Sequence, residues 1–208
     1  MRIGIIGAGK IGQATATRLV TAGHEVMLSN TQGPESLEEV EESLGQSAHA
    51  GTVLDAADYG DVVVVAIPLT GIDTLPAAQL AGKIVIDTGN YHPDRFGHIA
   101  DLDDGSTGSS ELVARHLPGA RVVKALNTLL WRLLEHEAKP PGAAERLAIP
   151  FAGDDPAAKE VVAALIDDMG FDPVDGGSLA DGRNQQPGTA VYHQSLGVEG
   201  VRAALANP

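Results

Sequence analysis

Short runs of β-branched residues without polar alternation are the feature that most restricts the fold of this 208-residue chain. Ile3–Ile6 and Val62–Pro68 are the longest apolar runs. Such runs are typical of strands buried on both faces of a central parallel sheet. Both are far shorter than the roughly 18 residues that a membrane-spanning helix needs. The predicted strands are Arg2–Ile6, Glu25–Ser29, Val62–Ile67, Lys83–Asp87, Ala120–Ala125, Arg146–Ala152 and Asp172–Val174.

Segments with helical spacing separate these runs. Lys10–Ala22 places apolar side chains on one stripe before Gly23, and Pro34–Leu44 begins with proline in its first turn. Ala157–Met169 has the same stripe, and a last helix is predicted around Ala190–Leu205. This alternation implies right-handed crossovers. The chain is therefore predicted to be an α/β protein with a Rossmann-type, doubly wound and mainly parallel sheet.

The last predicted strand divides the chain. Residues 1–175 are predicted to form the Rossmann domain, and residues 176–208 a short C-terminal helical cap packed on the same domain. Within the first part, the polar stretch His92–Gly108 is too long for a routine connection. Its length favours a functional loop.

The charge balance restricts the partners of the chain. Lys and Arg number 14 against 28 Asp and Glu, which gives a net charge of −14. Such a surface repels phosphodiester backbones and anionic lipids, so we expect neither nucleic acid nor membrane as a partner. The absence of cysteine and of a signal-peptide pattern favours a cytoplasmic location. Without thiolates or paired histidines, no metal site is predicted.

A glycine pattern directly follows the first predicted strand. Gly7-Ala8-Gly9-Lys10-Ile11-Gly12 matches G-x-G-x-x-G and opens a helix, the context that makes this motif specific for dinucleotides. Gly7 permits a tight turn, Gly9 lets the backbone approach a pyrophosphate, and Gly12 allows close packing of helix and strand. The alternative is a glycine-rich turn that only connects the two elements.

The end of the second predicted strand bears on the choice of nucleotide. An NAD site usually has Asp or Glu there, about 20 residues beyond the glycines. Here Ser29-Asn30-Thr31-Gln32 offers hydroxyl and amide groups without a carboxylate, and a helix begins at Pro34. This pattern favours NADP(H), but no arginine is present for the 2′-phosphate. A polar turn that caps the helix is the alternative.

Further motifs give the chain a family resemblance. They are Ala66-Ile67-Pro68, Asp87-Thr88-Gly89-Asn90-Tyr91, Val123-Lys124-Ala125-Leu126-Asn127-Thr128 and Gln186-Pro187-Gly188-Thr189. With the glycine loop and the second strand end, they resemble the coenzyme F420-dependent NADP oxidoreductases over essentially the whole chain. The resemblance implies a Rossmann-type NADP domain with a short cap, a homodimer, and hydride exchange between the nicotinamide and a deazaflavin (F420) or flavin-like acceptor.

The same resemblance implies roles for residues at the strand ends. The pyrophosphate would contact Gly7, Ala8, Gly9, Lys10 and Ile11. The 2′-phosphate would be surrounded by Ser29, Asn30, Thr31 and Gln32. The nicotinamide and its ribose would lie against Ala66, Ile67 and Pro68, with Asn90 and Asn127 facing the same crevice. Many members of the family have Ser-Arg where this chain has Thr31-Gln32.

No residue is assigned a catalytic role, because hydride transfer needs alignment and exclusion of water more than a nucleophile or base. His92 follows a strand end and is the candidate for proton donation to the acceptor, or else a loop side chain. Pro68 either shapes a wall for the nicotinamide or ends a strand. The candidate cations for an anionic acceptor, or else surface charges, are Lys124, Arg132, Lys139, Arg146 and Arg183.

The motifs leave the acceptor open. The leading hypothesis is an NADP-dependent oxidoreductase with F420 as its small-molecule partner. One alternative is an NADPH-dependent reductase of a flavin, a quinone, or an imine or carbonyl compound. The other is a sensor that binds NADP(H) without turnover.

Overall fold

The computed structural model describes residues 1–208 and contains one eight-stranded sheet flanked by helices. The strands are β1 (Arg2–Ile6), β2 (Glu25–Ser29), β3 (Ala48–Gly51), β4 (Val62–Val65), β5 (Ile84–Asp87), β6 (Arg121–Lys124), β7 (Ala148–Gly153) and β8 (Asp172–Asp175). The helices are α1 (Lys10–Thr21), α2 (Glu38–Leu44), α3 (Val53–Tyr59), α4 (Ala77–Leu80), α5 (Pro93–Phe96), α6 (Ala100–Asp103), α7 (Ser109–His116), α8 (Trp131–His136), α9 (Pro156–Asp168) and α10 (Val198–Ala206). Short 3₁₀ helices cover Pro34–Leu37, Leu69–Thr74 and Ala180–Gln185.

The strand order creates a crevice. It runs β3-β2-β1-β4-β5-β6-β7-β8, and all neighbouring strands are parallel except β6 and β7. The connections leave the sheet centre in opposite directions from β1 and from β4. Ligands of such sheets bind outside the carboxyl ends of the strands at this point. The predictions of an α/β class and of a Rossmann-type, mainly parallel sheet are confirmed.

β4 illustrates why the valine runs lie at the centre of the sheet. Val62 and Val64 belong to the core cluster that includes side chains of α1, α8 and α9. Val63 and Val65 belong to the cluster on the other face, with side chains of α3, α4 and α7. Because helices cover both faces, each position of this strand requires an apolar side chain.

The strand β3 and the six short helices α3 to α8 were not predicted from the sequence. β3 reads Ala-His-Ala-Gly, and its small residues lack the β-branched signature of a strand. α3 begins with a capping box, in which Thr52 Oγ1 accepts from the Asp55 amide at 3.1 Å and the Asp55 carboxylate accepts from the Thr52 amide at 2.9 Å. Local capping therefore starts a helix of only seven residues.

The last helix is shorter than predicted. The expectation of a helix around Ala190–Leu205 is wrong in its first half, because α10 begins only at Val198. His193 has a φ of 57°, outside the right-handed helical range, and its amide donates to the Thr128 carbonyl oxygen at 2.8 Å. The chain is thus tied to the loop after β6 before the helix starts. The domain division at residue 175 stays a prediction.

The segment His92–Gly108 is folded, since it contains α5 and α6. The Tyr91 hydroxyl donates to Asp103 at 2.6 Å and accepts from the Ile99 amide at 2.9 Å. These bonds hold the segment against the end of β5, and its functional role stays a prediction. No helix of the structure combines the length and the apolar composition needed to cross a membrane.

Arg146 joins α9 to β8. Its side chain is 4% exposed, and Nη1 donates to Asp167 at 2.7 Å and also pairs with Asp172. Nη2 donates to the backbone carbonyl of Asp167 at 2.7 Å. Arg146 is therefore part of the internal framework and not a cation available to an acceptor.

We expect Arg146→Met to lower the free energy of unfolding by about 2 kcal/mol. The loss is smaller than for a fully buried ion pair, because the carboxylates of Asp167 and Asp172 are partly exposed and regain hydrogen bonds to water. Arg202, which pairs with Glu199 on the surface of α10, is the control. Arg202→Met should change stability by less than about 0.5 kcal/mol. Urea denaturation measures both, and equal effects would contradict a framework role for Arg146.

Candidate functional site

The loop after β1 has the shape that its glycine pattern predicts. Gly7 has a φ of 108°, and a Cβ there would lie 2.4 Å from the Ala66 carbonyl oxygen. A Cβ on Gly12 would lie 1.9 Å from the Gly7 carbonyl oxygen, whereas a Cβ on Gly9 would meet no atom within 4 Å. Packing therefore requires glycine at positions 7 and 12. At Gly9, by contrast, there is open space above the loop.

The N-terminus of α1 faces that space without a competing side chain. Gly9 is the N-cap residue, and the first turn contains no acidic residue. The Gln13 amide donates to the Gly9 carbonyl at 2.9 Å, so the amides of Lys10 and Ile11 precede the first intrahelical bond and have no intrahelical acceptor. The positive end of the helix dipole adds to these donors. The arrangement fits a pyrophosphate.

Side chains of the loop lie at its margins. Ala8 and Ile11 are half-buried, and the Ala8 carbonyl accepts from Gln13 Nε2 at 2.8 Å. Lys10 is exposed, with Nζ 5.1 Å from the centre of the Trp131 ring. Its ammonium group is therefore held beside the mouth of the loop, on the side of α8.

The structure does not place Ser29 as a phosphate ligand. The residue is 0% exposed, and its hydroxyl donates to the Ile5 carbonyl oxygen at 3.0 Å. Its backbone carbonyl accepts from the Gly7 amide at 2.9 Å. Ser29 thus fastens β2 to the glycine loop. Sequence reasoning could not distinguish this buried hydroxyl from an exposed one at the strand tip.

The turn after β2 is organised by Asn30. Its Oδ1 accepts from the Gln32 amide at 2.9 Å, and its Nδ2 donates to Ser36 Oγ at 2.9 Å. The Ser36 hydroxyl also donates to the Gly33 carbonyl at 2.7 Å. Thr31 and the Gln32 side chain remain exposed at the tip of the turn. These two side chains are the ones free to approach a ligand.

A carboxylate enters the same turn. A Cβ on Gly33 would lie 3.1 Å from Glu35 Oε2. Sequence reasoning found no carboxylate at the tip of β2, because Glu35 lies farther along the chain, in the 3₁₀ helix. A carboxylate at this place repels a 2′-phosphate and is able to accept a hydrogen bond from a ribose 2′-hydroxyl.

The loop after β4 lies against the glycine loop. Ala66 and Ile67 are half-buried, and Pro68 is exposed. A Cβ on Gly7 would come within 2.9 Å of Ile67 Cγ2, which measures how closely the two loops approach. Pro68 precedes the 3₁₀ helix Leu69–Thr74, so it ends the strand segment and also remains accessible at the crevice.

Asn90 and Asn127 bind each other across the ends of β5 and β6. Asn90 Nδ2 donates to the Asn127 carbonyl at 3.0 Å, and Asn127 Nδ2 donates to Asn90 Oδ1 at 3.0 Å. Asn127 Nδ2 also donates to the Gln185 carbonyl at 2.6 Å. The pair therefore joins two strand-end loops to the C-terminal segment. Asn90 is half-buried and Asn127 is 2% exposed.

Lys124 is neither a surface charge nor a ligand for an acceptor, in contrast to both sequence-based interpretations. It is 1% exposed, and Nζ donates to the Gly89 carbonyl at 2.8 Å and to the hydroxyls of Ser109 and Ser110 at 3.2 and 3.3 Å. Burial lowers the pKa of Lys124, and the negative charge of Asp87 opposes this shift. The ammonium group thus holds the turn after β5 in place.

The other candidate cations contact neighbouring groups of the protein. Arg183 donates to the Gly105 carbonyl at 3.1 Å and lies 3.7 Å from Glu111. Lys139 donates to a backbone carbonyl at 3.1 Å. Arg132 lies over the Trp131 ring, 5.2 Å from its centre. None of these contacts marks an anion site.

His92 lies next to aromatic residues that sequence reasoning missed. Its ring centre is 6.5 Å from that of Tyr192, with an angle of 62° between the planes. Tyr192 in turn stacks on His193 at 3.9 Å and 22°. Both residues fall in the segment predicted to be helical, so no sequence signal placed them near His92. A proton-donating role for His92 stays a prediction.

Comparison with known proteins gives the crevice a context. Residues 2–91 match the sequence model of a family described as coenzyme F420-dependent NADP oxidoreductases. The structure of the hypothetical protein SMa0349 from Sinorhizobium meliloti is similar, with 36% identity, a TM-score of 0.81 and coverage of 94% of both chains. A protein from Arthrobacter sp. FB24, proposed to be an F420-dependent NADP reductase, has 28% identity, a TM-score of 0.74 and 88% coverage of both chains.

A relative of known activity is much longer than this chain. The metalloreductase STEAP3 of Rattus norvegicus is 31% identical over 184 residues, which are 88% of this chain and 35% of that protein. This chain thus spans about a third of the length of that curated relative. The family match itself runs from β1 to the turn after β5 and includes the glycine loop, so residues 2–91 belong to the family of coenzyme F420-dependent NADP oxidoreductases.

Proposed function

We propose that this protein is an NADP(H)-dependent oxidoreductase that exchanges a hydride with a deazaflavin (F420) or another flavin-type acceptor. The observation that carries the proposal is the unobstructed N-terminus of α1 at the switch point of the sheet. When bound, NADPH supplies the hydride, and NADP⁺ receives it in the reverse direction. The family resemblance and the lack of cysteine extend the proposal to a cytoplasmic homodimer.

The chain's own part in this reaction is to bind and align. The amides at the start of α1 would hold the pyrophosphate, so a local positive potential offsets the repulsion from a net charge of −14. Ala66, Ile67 and Pro68 would cover the nicotinamide and exclude water from it. Asn90 and Asn127, already fixed to each other, would form the opposite wall of the crevice without rearranging.

A second candidate function is the reduction of a chelated metal ion. The observation that favours it is the likeness to a metalloreductase over 88% of this chain. A hydride carries two electrons and one proton, so each NADPH oxidised would reduce two ferric ions to the ferrous state and release one proton to solvent. In this case, the same nucleotide crevice serves a different acceptor.

We expect Gly9→Val to abolish NADPH binding without unfolding the protein. A Cβ at this position would meet no atom within 4 Å, so the substitution projects into the space proposed for the pyrophosphate. Gly197→Val is a matched control, because Gly197 caps α10 with φ −81° and ψ −176°, against −75° and −172° for Gly9. Calorimetric titration with NADPH measures the binding. Unchanged affinity in Gly9→Val would refute the pyrophosphate site.

We expect Gln32→Arg to tighten NADPH binding about tenfold, because a guanidinium forms charge-assisted hydrogen bonds with a phosphate. NADH affinity should not change, since NADH lacks the 2′-phosphate. Glu35→Gln should act in the same direction by removing the repelling carboxylate. Fluorescence titration with each nucleotide measures the effects. No change for NADPH in either variant would place the 2′-phosphate away from this turn.

A comparison of acceptors tests the reaction itself. Purified protein is mixed with NADPH and, separately, with F420, FMN, a ferric chelate or a small cyclic ketone, and loss of reduced-nicotinamide absorbance is followed. We expect F420 or FMN to be reduced fastest. Faster reduction of the ferric chelate would favour the second candidate. Tight NADPH binding without oxidation by any acceptor would instead identify a sensor.

A further inference from the structure

An aromatic and basic cluster lies at the edge of the crevice and has no part in nucleotide binding as proposed above. We define it as His92, Arg95, Tyr192 and His193. Tyr192 stacks on His193 at 3.9 Å, and the His92 ring approaches Tyr192 edge-on at 6.5 Å. His193 is exposed, whereas His92 and Tyr192 are half-buried. The cluster therefore offers an aromatic surface, already stacked, to solvent.

Backbone contacts place this cluster beside the Asn90–Asn127 pair. The His193 amide donates to the carbonyl of Thr128, the residue next to Asn127, at 2.8 Å. His92 lies two residues after Asn90, at the end of the turn that follows β5. The aromatic surface is thus attached to both strand-end loops that border the crevice opposite the glycine loop.

The conformation of His193 is specific. Its φ of 57° is rare for a residue that is not glycine, and the hydrogen bond to Thr128 holds it there. Backbone strain of this kind concentrates at ligand-binding sites, where the surrounding structure maintains it. Here the backbone conformation of His193 places its exposed ring on Tyr192, and α10 begins only at Val198.

Arg95 adds an unpaired positive charge. It forms neither an ion pair nor a side-chain hydrogen bond, and its guanidinium lies 5.6 Å from the centre of the Phe96 ring. Arg95 lies in the short helix α5 that His92 caps, and its amide donates to the His92 carbonyl at 3.0 Å. Burial raises the pKa of Tyr192, and the charge of Arg95 opposes that rise. In a chain with a net charge of −14, a free cation on the same turn as His92 favours an anionic, aromatic ligand.

We propose that His92, Tyr192 and His193 form the platform on which the planar ring of the acceptor stacks, and that Arg95 pairs with the phosphate of that acceptor. This inference rests on the proposed function and narrows it. The acceptor class is a planar tricyclic ring with a phosphorylated side chain, a chemistry that FMN and F420 share. Small ketones and metal chelates lack this combination.

The test separates the ring from the phosphate by using FMN and riboflavin as probes. Binding of each to the NADP⁺-saturated protein is followed by flavin fluorescence, and KM values are measured with saturating NADPH. Arg95→Gln should weaken FMN binding about threefold to fivefold, the range of an exposed ion pair, and leave riboflavin binding unchanged. Tyr192→Leu should weaken both about tenfold, and Tyr192→Phe should restore both.

Two further variants complete the design. Arg121→Gln is the charge-matched control, since Arg121 lies at the opposite end of β6 and donates to the Gly82 carbonyl at 3.1 Å. His193→Asn removes the ring but tolerates the positive φ, so it should weaken both flavins without unfolding the segment. NADPH affinity should be unchanged in every variant. F420 and its phosphate-free deazaflavin ring repeat the comparison and identify which ring system binds more tightly.

The outcomes distinguish the inference from the function on which it rests. If wild-type protein binds NADPH but neither FMN nor F420, the platform is refuted and the nucleotide site stands. If wild-type protein does not bind NADPH, the proposed function itself fails. Equal losses for FMN and riboflavin in Arg95→Gln, or equal effects of Arg95→Gln and Arg121→Gln, would overturn the phosphate contact.

Discussion

The close approach of α1 to β1 is the constraint on which the candidate site depends. A Cβ on Gly12 would lie 1.9 Å from the Gly7 carbonyl oxygen, so only glycine allows the first turn of the helix to lie over the end of the strand. This contact aims the free amides of α1 at the switch point of the sheet. The proposed nucleotide site thus depends on backbone packing more than on any side chain.

The far wall of the crevice depends on buried polar bonds instead. The Thr88 hydroxyl donates to the Val65 carbonyl at 3.2 Å, and Lys124 donates to the Gly89 carbonyl at 2.8 Å. Both bonds lie at the carboxyl ends of the central strands and hold the turn that carries Asn90. Their burial strengthens them, because water does not compete for the same groups. A preformed wall of this kind would align two redox partners without the entropic cost of ordering the turn after β5 on binding.

The predictable part of the molecule is the part defined by local pattern. Runs of valine predicted the central strands, because helices cover both faces of those strands. The glycine spacing predicted the loop after β1, because the close contacts that require glycine lie within or next to that loop. β3 was not predicted, because its small residues lack the β-branched pattern of a strand. Lys124 was misread because lysine is rarely buried, and the carbonyl and hydroxyl groups that satisfy its ammonium group come from residues distant in sequence. Neither the burial of Ser29 nor the place of Glu35 is visible without the fold.

The two sides of the crevice differ in how far the sequence predicts them, because only one of them is defined by local pattern. On the nucleotide side, the contacts lie within short stretches of sequence, so a motif describes them. On the side proposed for the acceptor, they join residues distant in sequence: the His193 amide donates to the Thr128 carbonyl, and the Tyr192 ring lies near that of His92. Such contacts depend on how residues 176–208 return to the sheet. With the sites proposed here, members of one family would share a nucleotide site and differ in acceptor, because a change in this returning segment would alter one wall and leave the glycine loop untouched.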